Sequence, residues 1–422
     1  MKNDILIIGG GVVGMSCAYE LSARGAKVTL IDRGEPGFGC SYGNAGWITP
    51  CFAMPLPMPG MMIKSLKWMT NPDGPLYIQP KPSVLLFRWL TRFLFSMNQR
   101  QALRSVAALT EISKYSIDAY AKLDQALPNR IGFERRGLLM VGQGTDGVKA
   151  AKHEMDLVAE HGIPGRLLDE RGVRELEPAL TGPLQGGVYF PEEAHAEPLQ
   201  VVQALRDGAI ANGATILPRT EVFDFHFSEG APGARRITGI RTTRGDMTAD
   251  QFVLATGSWS VPIAKRLGIR VPVLGGKGYS IIVKPFSPAP KIPLMLLEKK
   301  IAVTPRKDTI RLAGTLELVD RDESITPRRV DAILKGSREF MNVPAISELT
   351  PSITEVWRGL RPCTPDGVPI VGYPKQYSNL LLLTGHQMLG LQSAPGTARL
   401  AADLLLGTAP AFDPAPFRAT RF

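Results

Sequence analysis

Three stretches of this 422-residue chain carry residue types and spacings suited to holding a bound cofactor. The first, Gly9-Gly10-Gly11-Val12-Val13-Gly14, follows a short apolar run and is followed 18 positions after Gly14 by Asp32. Gly9 suits a tight strand-to-helix turn, Gly11 lets backbone approach a pyrophosphate, and Gly14 allows close helix–strand packing. The start of the helix turns its N–H groups and partial positive charge toward the phosphates. Asp32 is placed to accept from a ribose diol. The second stretch is Thr256-Gly257-Ser258-Trp259, where a buried strand ends in small residues that let backbone pass a cofactor. Alone it is a weak signal. The third is the C-terminal block, from Trp357 to Gly367 and from Leu383 to Gly390, where a helix start can stabilise negative charge on a reduced ring. Arg361 lies between Leu360 and Pro362, where a guanidinium needs an anionic partner. A substrate carboxylate and a structural salt bridge serve equally well.

A second glycine turn competes with the first. Gly142-Gln143-Gly144-Thr145-Asp146-Gly147 also follows a strand-like run, with Asp169 downstream. Its helix, however, carries Lys149, Lys152, His153, Glu154 and Asp156, unlike one packed deeply on a central sheet. It reads as a surface turn into an edge helix.

The elements that must position these residues alternate. Helical spacing predicts helices over 12–24, 85–100, 103–127, 201–212, 328–341 and 391–406. Strand-like runs fall at 4–8, 27–31, 137–141, 187–190, 214–218, 221–225, 237–242 and 251–255, and several more lie between 271 and 318. The expected fold is α/β: a Rossmann-like dinucleotide-binding domain (1–82, 196–268 and 355–422) with an inserted antiparallel-sheet substrate domain (83–195 and 269–354). Residues 50–82, rich in proline and methionine, read as an excursion covering a site.

Composition narrows the rest. Lys+Arg outnumber Asp+Glu by 49 to 39, an excess that suits anionic partners or simply a basic surface. No basic run interleaved with aromatics is present, so nucleic acid is not an expected partner. The four cysteines show no disulfide or zinc spacing, no signal-peptide pattern opens the chain, and no run of about 18 apolar residues spans a bilayer. A cytoplasmic location follows as an expectation. The segment 85–97 combines an apolar face with Arg88 and Arg92, which suits either the inner face of the cytoplasmic membrane or a core helix with snorkelling arginines.

The segments LIIGGGVVGMSCAYEL, IDR, SYGNAGWITP, GGKGYS, WRGLRPCTPDGVPIVG and LTGHQMLG, in order, resemble the D-amino acid oxidase superfamily. Within it they are most similar to the bacterial D-amino acid dehydrogenases of the small-subunit type. The resemblance implies non-covalent FAD. Gly9, Gly11, Val12, Val13, Gly14, Asp32 and Arg33 would hold its ADP half, and Ser41, Asn44, Ala45 and Gly46 would line the ring or pyrophosphate. Val222 would touch the adenine, with Thr256, Gly257 and Trp259 closing that side. Gly385, His386, Gly390 and Leu391 would face the O2/N1 edge of the ring. Arg361 would pair with the substrate carboxylate, with Tyr279 and His386 as further active-site residues.

The activity implied is oxidation of a D-amino acid by hydride transfer from Cα to flavin N5. The imine then hydrolyses to a keto acid, or is a cyclic imine when the substrate is cyclic. Electrons would pass to a quinone or another electron-transfer acceptor. The chain departs from the dehydrogenases at Ser41-Tyr42-Gly43 and at Gln387-Met388, beside the substrate, which suggests room for a cyclic imino acid such as D-proline or D-hydroxyproline. Cys363 lies near the place where some relatives attach flavin covalently, but its distance to Asp366 does not match theirs. Two rival readings remain: an oxygen-using oxidase of glycine- or sarcosine-like amines, and a basic flavoprotein acting on RNA or at the membrane.

Overall fold

Strand Asp4–Ile8 is apolar because it runs through the middle of a six-stranded sheet, buried on both faces. Lys27–Ile31 and then Thr215–Leu217 lie parallel on one side of it, and Gln251–Leu254 and Leu380–Thr384 on the other. Ile370–Gly372 closes that edge antiparallel. Helix Val12–Ala23 packs between helices Pro198–Ala211 and Gly390–Leu406, and Gln99–Ala126 packs on the last of these. A three-stranded antiparallel ribbon, Val222–Phe227, Ile237–Thr242 and Gly245–Met247, covers the other face. The computed structural model describes residues 4–58, 74, 76–78, 83–127, 130–228, 235–344 and 352–422. Most of the excursion expected over 50–82 lies outside them.

The second sheet runs Ile353–Cys363, Leu274–Val283, Ile310–Val319, Ile301–Pro305, Leu294–Leu296, Leu138–Gly142, Gly186–Phe190, Arg166–Leu168, with Leu76–Ile78 beside Ile310–Val319. It is mostly antiparallel. Strand Ile353–Cys363, expected with the dinucleotide unit, instead hydrogen-bonds along Leu274–Val283 over nearly its whole length. Its C-terminal end nevertheless reaches the first sheet's side, through an isolated bridge between Cys363 and His386. That strand carries Arg361 from one sheet to the other.

Helix Val84–Ser96 buries Trp89 and Phe93, stacked at 5.0 Å, and Trp89 Nε1 donates to the Cys363 carbonyl. Its other face leaves Val84, Phe87, Leu94 and Phe95 exposed beside Arg88 and Arg92. Among the described residues no helix is long and apolar enough to cross a membrane.

Candidate active site

Strand Asp4–Ile8 delivers the chain to Gly9, whose φ is +114°, and a Cβ there would stand 2.5 Å from the Ala255 carbonyl oxygen. Only glycine takes this turn. A Cβ on Gly14 would lie 2.0 Å from the Gly9 oxygen, so helix Val12–Ala23 sits as close to the strand as backbone allows. No side chain of its N-cap, Gly11, covers the helix start, although Ser41 Oγ accepts from Val12 N–H at 2.9 Å. Asp32 accepts from Gly10 N–H at 2.6 Å and from Gly34 N–H at 2.8 Å. Burial raises its pKa against the pull of those two N–H groups. The Arg33 guanidinium lies 4.4 Å from the Trp259 ring centre.

These residues wall one continuous cleft. Beside the helix start it is lined by Gly11, Val12, Val13, Asp32, Arg33, Ser41 and Val222, and along its length by Asn44, Thr256, Gly257 and Trp259. The same wall includes Pro362, His386, Gln387, Gly390 and Leu391. Helix Gly390–Leu406 begins without a side-chain cap, so two helix starts without N-cap side chains open onto the cleft. His386 is buried with Nε2 unpartnered, and burial pushes its pKa down to about 3. Burial thus favours the neutral imidazole. Ala45, Gly46 and Gly385 stand behind the wall. The Ala45 carbonyl accepts from Thr304 Oγ1 at 2.8 Å, and the φ values of Gly46 and Gly385, +89° and +84°, fold the chain against Ala196 and Thr364.

Arg361 lies one residue before Pro362. Its cross-strand partner is Gly276, and Gly359 pairs with Gly278, so these residues share one face of the second sheet. A Cβ on Gly278 would fall 2.1–2.3 Å from the guanidinium, which therefore lies flat over bare backbone. Arg361 Nη1 donates to the Thr315 carbonyl at 2.6 Å. Thr315 has φ +58°, costly for a β-branched residue, and sits in a bulge where the register of Leu274–Val283 against Ile310–Val319 shifts. Among the described residues no carboxylate pairs with Arg361, and burial lowers its pKa. The structural salt bridge is thus absent from the described residues.

A family model described as FAD dependent oxidoreductase (DAO) matches residues 4–404. The chain belongs to this family. Curated relatives named D-amino acid dehydrogenase include one from Granulibacter bethesdensis, 33% identical with 99% of each chain covered. Another, from Bradyrhizobium diazoefficiens, is 32% identical, with 99% of this chain and 98% of the relative covered. Among solved structures, glycine oxidase from Geobacillus kaustophilus superposes with a TM-score of 0.78 at 23% identity, covering 100% of this chain and 99% of that one. L-proline dehydrogenase from P. horikoshii gives 0.78 at 20% identity, covering 100% and 98%.

FAD is the cofactor of the DAO family, and the cleft fits it. A nucleotide end needs open N–H groups and an acceptor for a diol, which Gly11 and Val13 N–H and Asp32 present, Val12 N–H being held by Ser41 Oγ. A ring that takes up negative charge needs donors or a helix start. The Gly390–Leu391 turn and the unpartnered Gln387 Nε2 offer both. The competing turn offers neither, because Glu298 Oε1 already accepts from Gln143 N–H at 3.2 Å and Gly144 N–H at 3.0 Å. The chain's own carboxylate sits where a phosphate would.

Tyr279 is not brought to Arg361. It pairs with Arg358 on the opposite face, buried, its hydroxyl 3.1 Å from Glu317 Oε2 and from Thr326 N. The room expected at Gly43 is also taken: a Cβ there would lie 1.9 Å from the Trp357 indole, which folds back over Gly359. Sequence reasoning missed Arg311, which is buried, with burial lowering its pKa to about 10. It donates to the carbonyls of Tyr42 and Asn44 and so ties the cofactor loop to the substrate-side sheet. The signal for a bare strand face was present in the alternation of Gly276 and Gly278.

Proposed function

We propose that this DAO-family chain is a FAD-dependent dehydrogenase of D-amino acids. The observation that carries the reading is Arg361, a half-buried guanidinium with no carboxylate partner among the described residues, held through Nη1 and one residue before Pro362, which lines the cleft. Bound FAD supplies the acceptor for the Cα hydride. The chain's part is to bind and orient. The Thr315 carbonyl fixes Nη1, which leaves the rest of the fork for a bidentate substrate carboxylate. Holding the carboxylate sets the angle at which Cα meets the cofactor. Neutral His386 serves as a hydrogen-bonding wall residue rather than as a proton carrier. The curated relatives, named as D-amino acid dehydrogenases over nearly this whole length, support the substrate class.

Trp357 fills the space over Gly43, so preference for a cyclic substrate is not built there. D-Proline and D-hydroxyproline are candidates alongside linear D-amino acids. For the acceptor, the face of Val84–Ser96 that exposes Val84, Phe87, Leu94 and Phe95 beside Arg88 and Arg92 suits an anionic bilayer, where a quinone resides. A panel of D-amino acids, assayed with a soluble quinone and separately with oxygen, tests this function. Quinone reduction with little peroxide supports it. Rapid peroxide release with glycine or sarcosine would favour the oxidase instead.

A further inference from the structure

Gln387 is in a backbone conformation that disfavours its side chain. Its φ is +51°, a region that among the described non-glycine residues only Arg219, Lys300 and Thr315 share. Arg219 and Lys300 keep accessible surface, and Thr315 turns its carbonyl to Arg361. Gln387 is 7% exposed and lines the cofactor cleft, and its Nε2, which carries two donor hydrogens, has no partner among the described residues. Its backbone N–H is anchored on the Pro362 carbonyl at 3.0 Å, which fixes the root of the side chain beside another residue of the cleft wall. A glycine would relieve both the backbone strain and the buried unpaired amide. Strain of this kind persists where surrounding structure imposes it, and it gathers at functional sites.

We propose that the Gln387 carboxamide donates a hydrogen bond to the redox-active end of bound FAD and raises its reduction potential. The inference rests on the FAD reading of the cleft, not on the identity of the amine. Cofactor rather than substrate is the partner because Gln387 lines the cleft itself, whereas Arg361 does not. Two-electron reduction adds negative charge to the ring, and a donor already aimed at it stabilises the reduced form more than the oxidised form.

The test compares the wild-type holoenzyme with Gln387→Gly and Gln387→Leu, reading the FAD midpoint potential by anaerobic dye equilibration and the affinity for sulfite. Both variants are expected to shift the reduced-to-oxidised ratio about tenfold toward oxidised, ~30 mV for a two-electron couple. Sulfite binding should weaken by a similar factor. Gln387→Gly, freed of the positive-φ strain, should melt no lower than wild type as apoprotein. Unchanged potential and sulfite affinity in both FAD-loaded variants would overturn the proposal, as would a change confined to the KM of the amine. A wild-type protein that takes up no FAD would bring down the cofactor reading and this inference together. A potential shift in an enzyme that ignores D-amino acids would leave this inference standing and sink only the substrate assignment.

Discussion

The cofactor cleft and the substrate face are built from different materials. The cleft is made of backbone: a turn that only glycine takes at Gly9, a helix seated on Gly14, and two helix starts that no N-cap side chain covers. The substrate face is made of side chains laid over bare backbone, with Arg361 above Gly278 and the indole of Trp357 above Gly359. Backbone sites tolerate no Cβ but are indifferent to what lies opposite. Side-chain sites depend on register, bulges and the partners across the sheet. One region can therefore be broken while the other keeps working.

The largest effect is expected at Gly14. A Cβ there would meet the Gly9 oxygen at 2.0 Å, and neither group has room to move. Gly14→Ala should yield protein that loses its flavin on gel filtration, with FAD affinity down at least 100-fold. Bound yellow cofactor at wild-type affinity would show that the close packing is not needed. Gly278→Ala probes the face alone. The added methyl displaces the Arg361 guanidinium, so KM for the amine should rise about tenfold while the flavin spectrum and FAD affinity stay put, the cost of one weakened charge-assisted hydrogen bond. A fall in FAD affinity would erase the distinction between the two regions.

The last effect is on stability rather than on ligand binding. Glu193 is buried, accepting from Cys51 N–H at 3.0 Å with its other oxygen unpaired, and burial raises its pKa from an ordinary 4.5 to about 8. The folded protein therefore holds a proton that the unfolded chain has already released. The stabilisation is complete below the unfolded pKa and is lost as pH rises toward about 8, at about 1.4 kcal/mol per pH unit. Glu193→Gln should flatten the decline in Tm between pH 5 and pH 8.5, with little change at pH 5. An equal decline in both proteins would assign it to other groups.

The same contrast explains what the sequence made legible. The Gly9–Asp32 unit could be read because strand, turn, helix and second strand lie within about thirty residues and their geometry is local. Arg361 was legible as a residue type but not as a placement. Its setting, with no carboxylate partner among the described residues, depends on the pairing with Gly276 and on the Thr315 bulge, a register shift that no local pattern announces. Tyr279 failed by parity: its strand is continuous with Gly278, yet successive side chains point to opposite faces. Glu298, which closes the second glycine turn, lies more than 150 residues from it, so only the folded chain shows why one turn is open and the other filled.

The central claim is that Arg361 holds the carboxylate of a D-amino acid at a FAD cleft. The direct measurement is anaerobic bleaching of the bound flavin by matched D and L enantiomers, in wild type and in Arg361→Ala. The account predicts bleaching of wild type by the D form, at least 100-fold weaker reduction by the L form, and an Arg361→Ala protein that stays yellow until substrate is raised about 30- to 1000-fold, as loss of ~2–4 kcal/mol of bidentate pairing requires. Bleaching of Arg361→Ala at wild-type concentrations, or equal bleaching by both enantiomers, would contradict it.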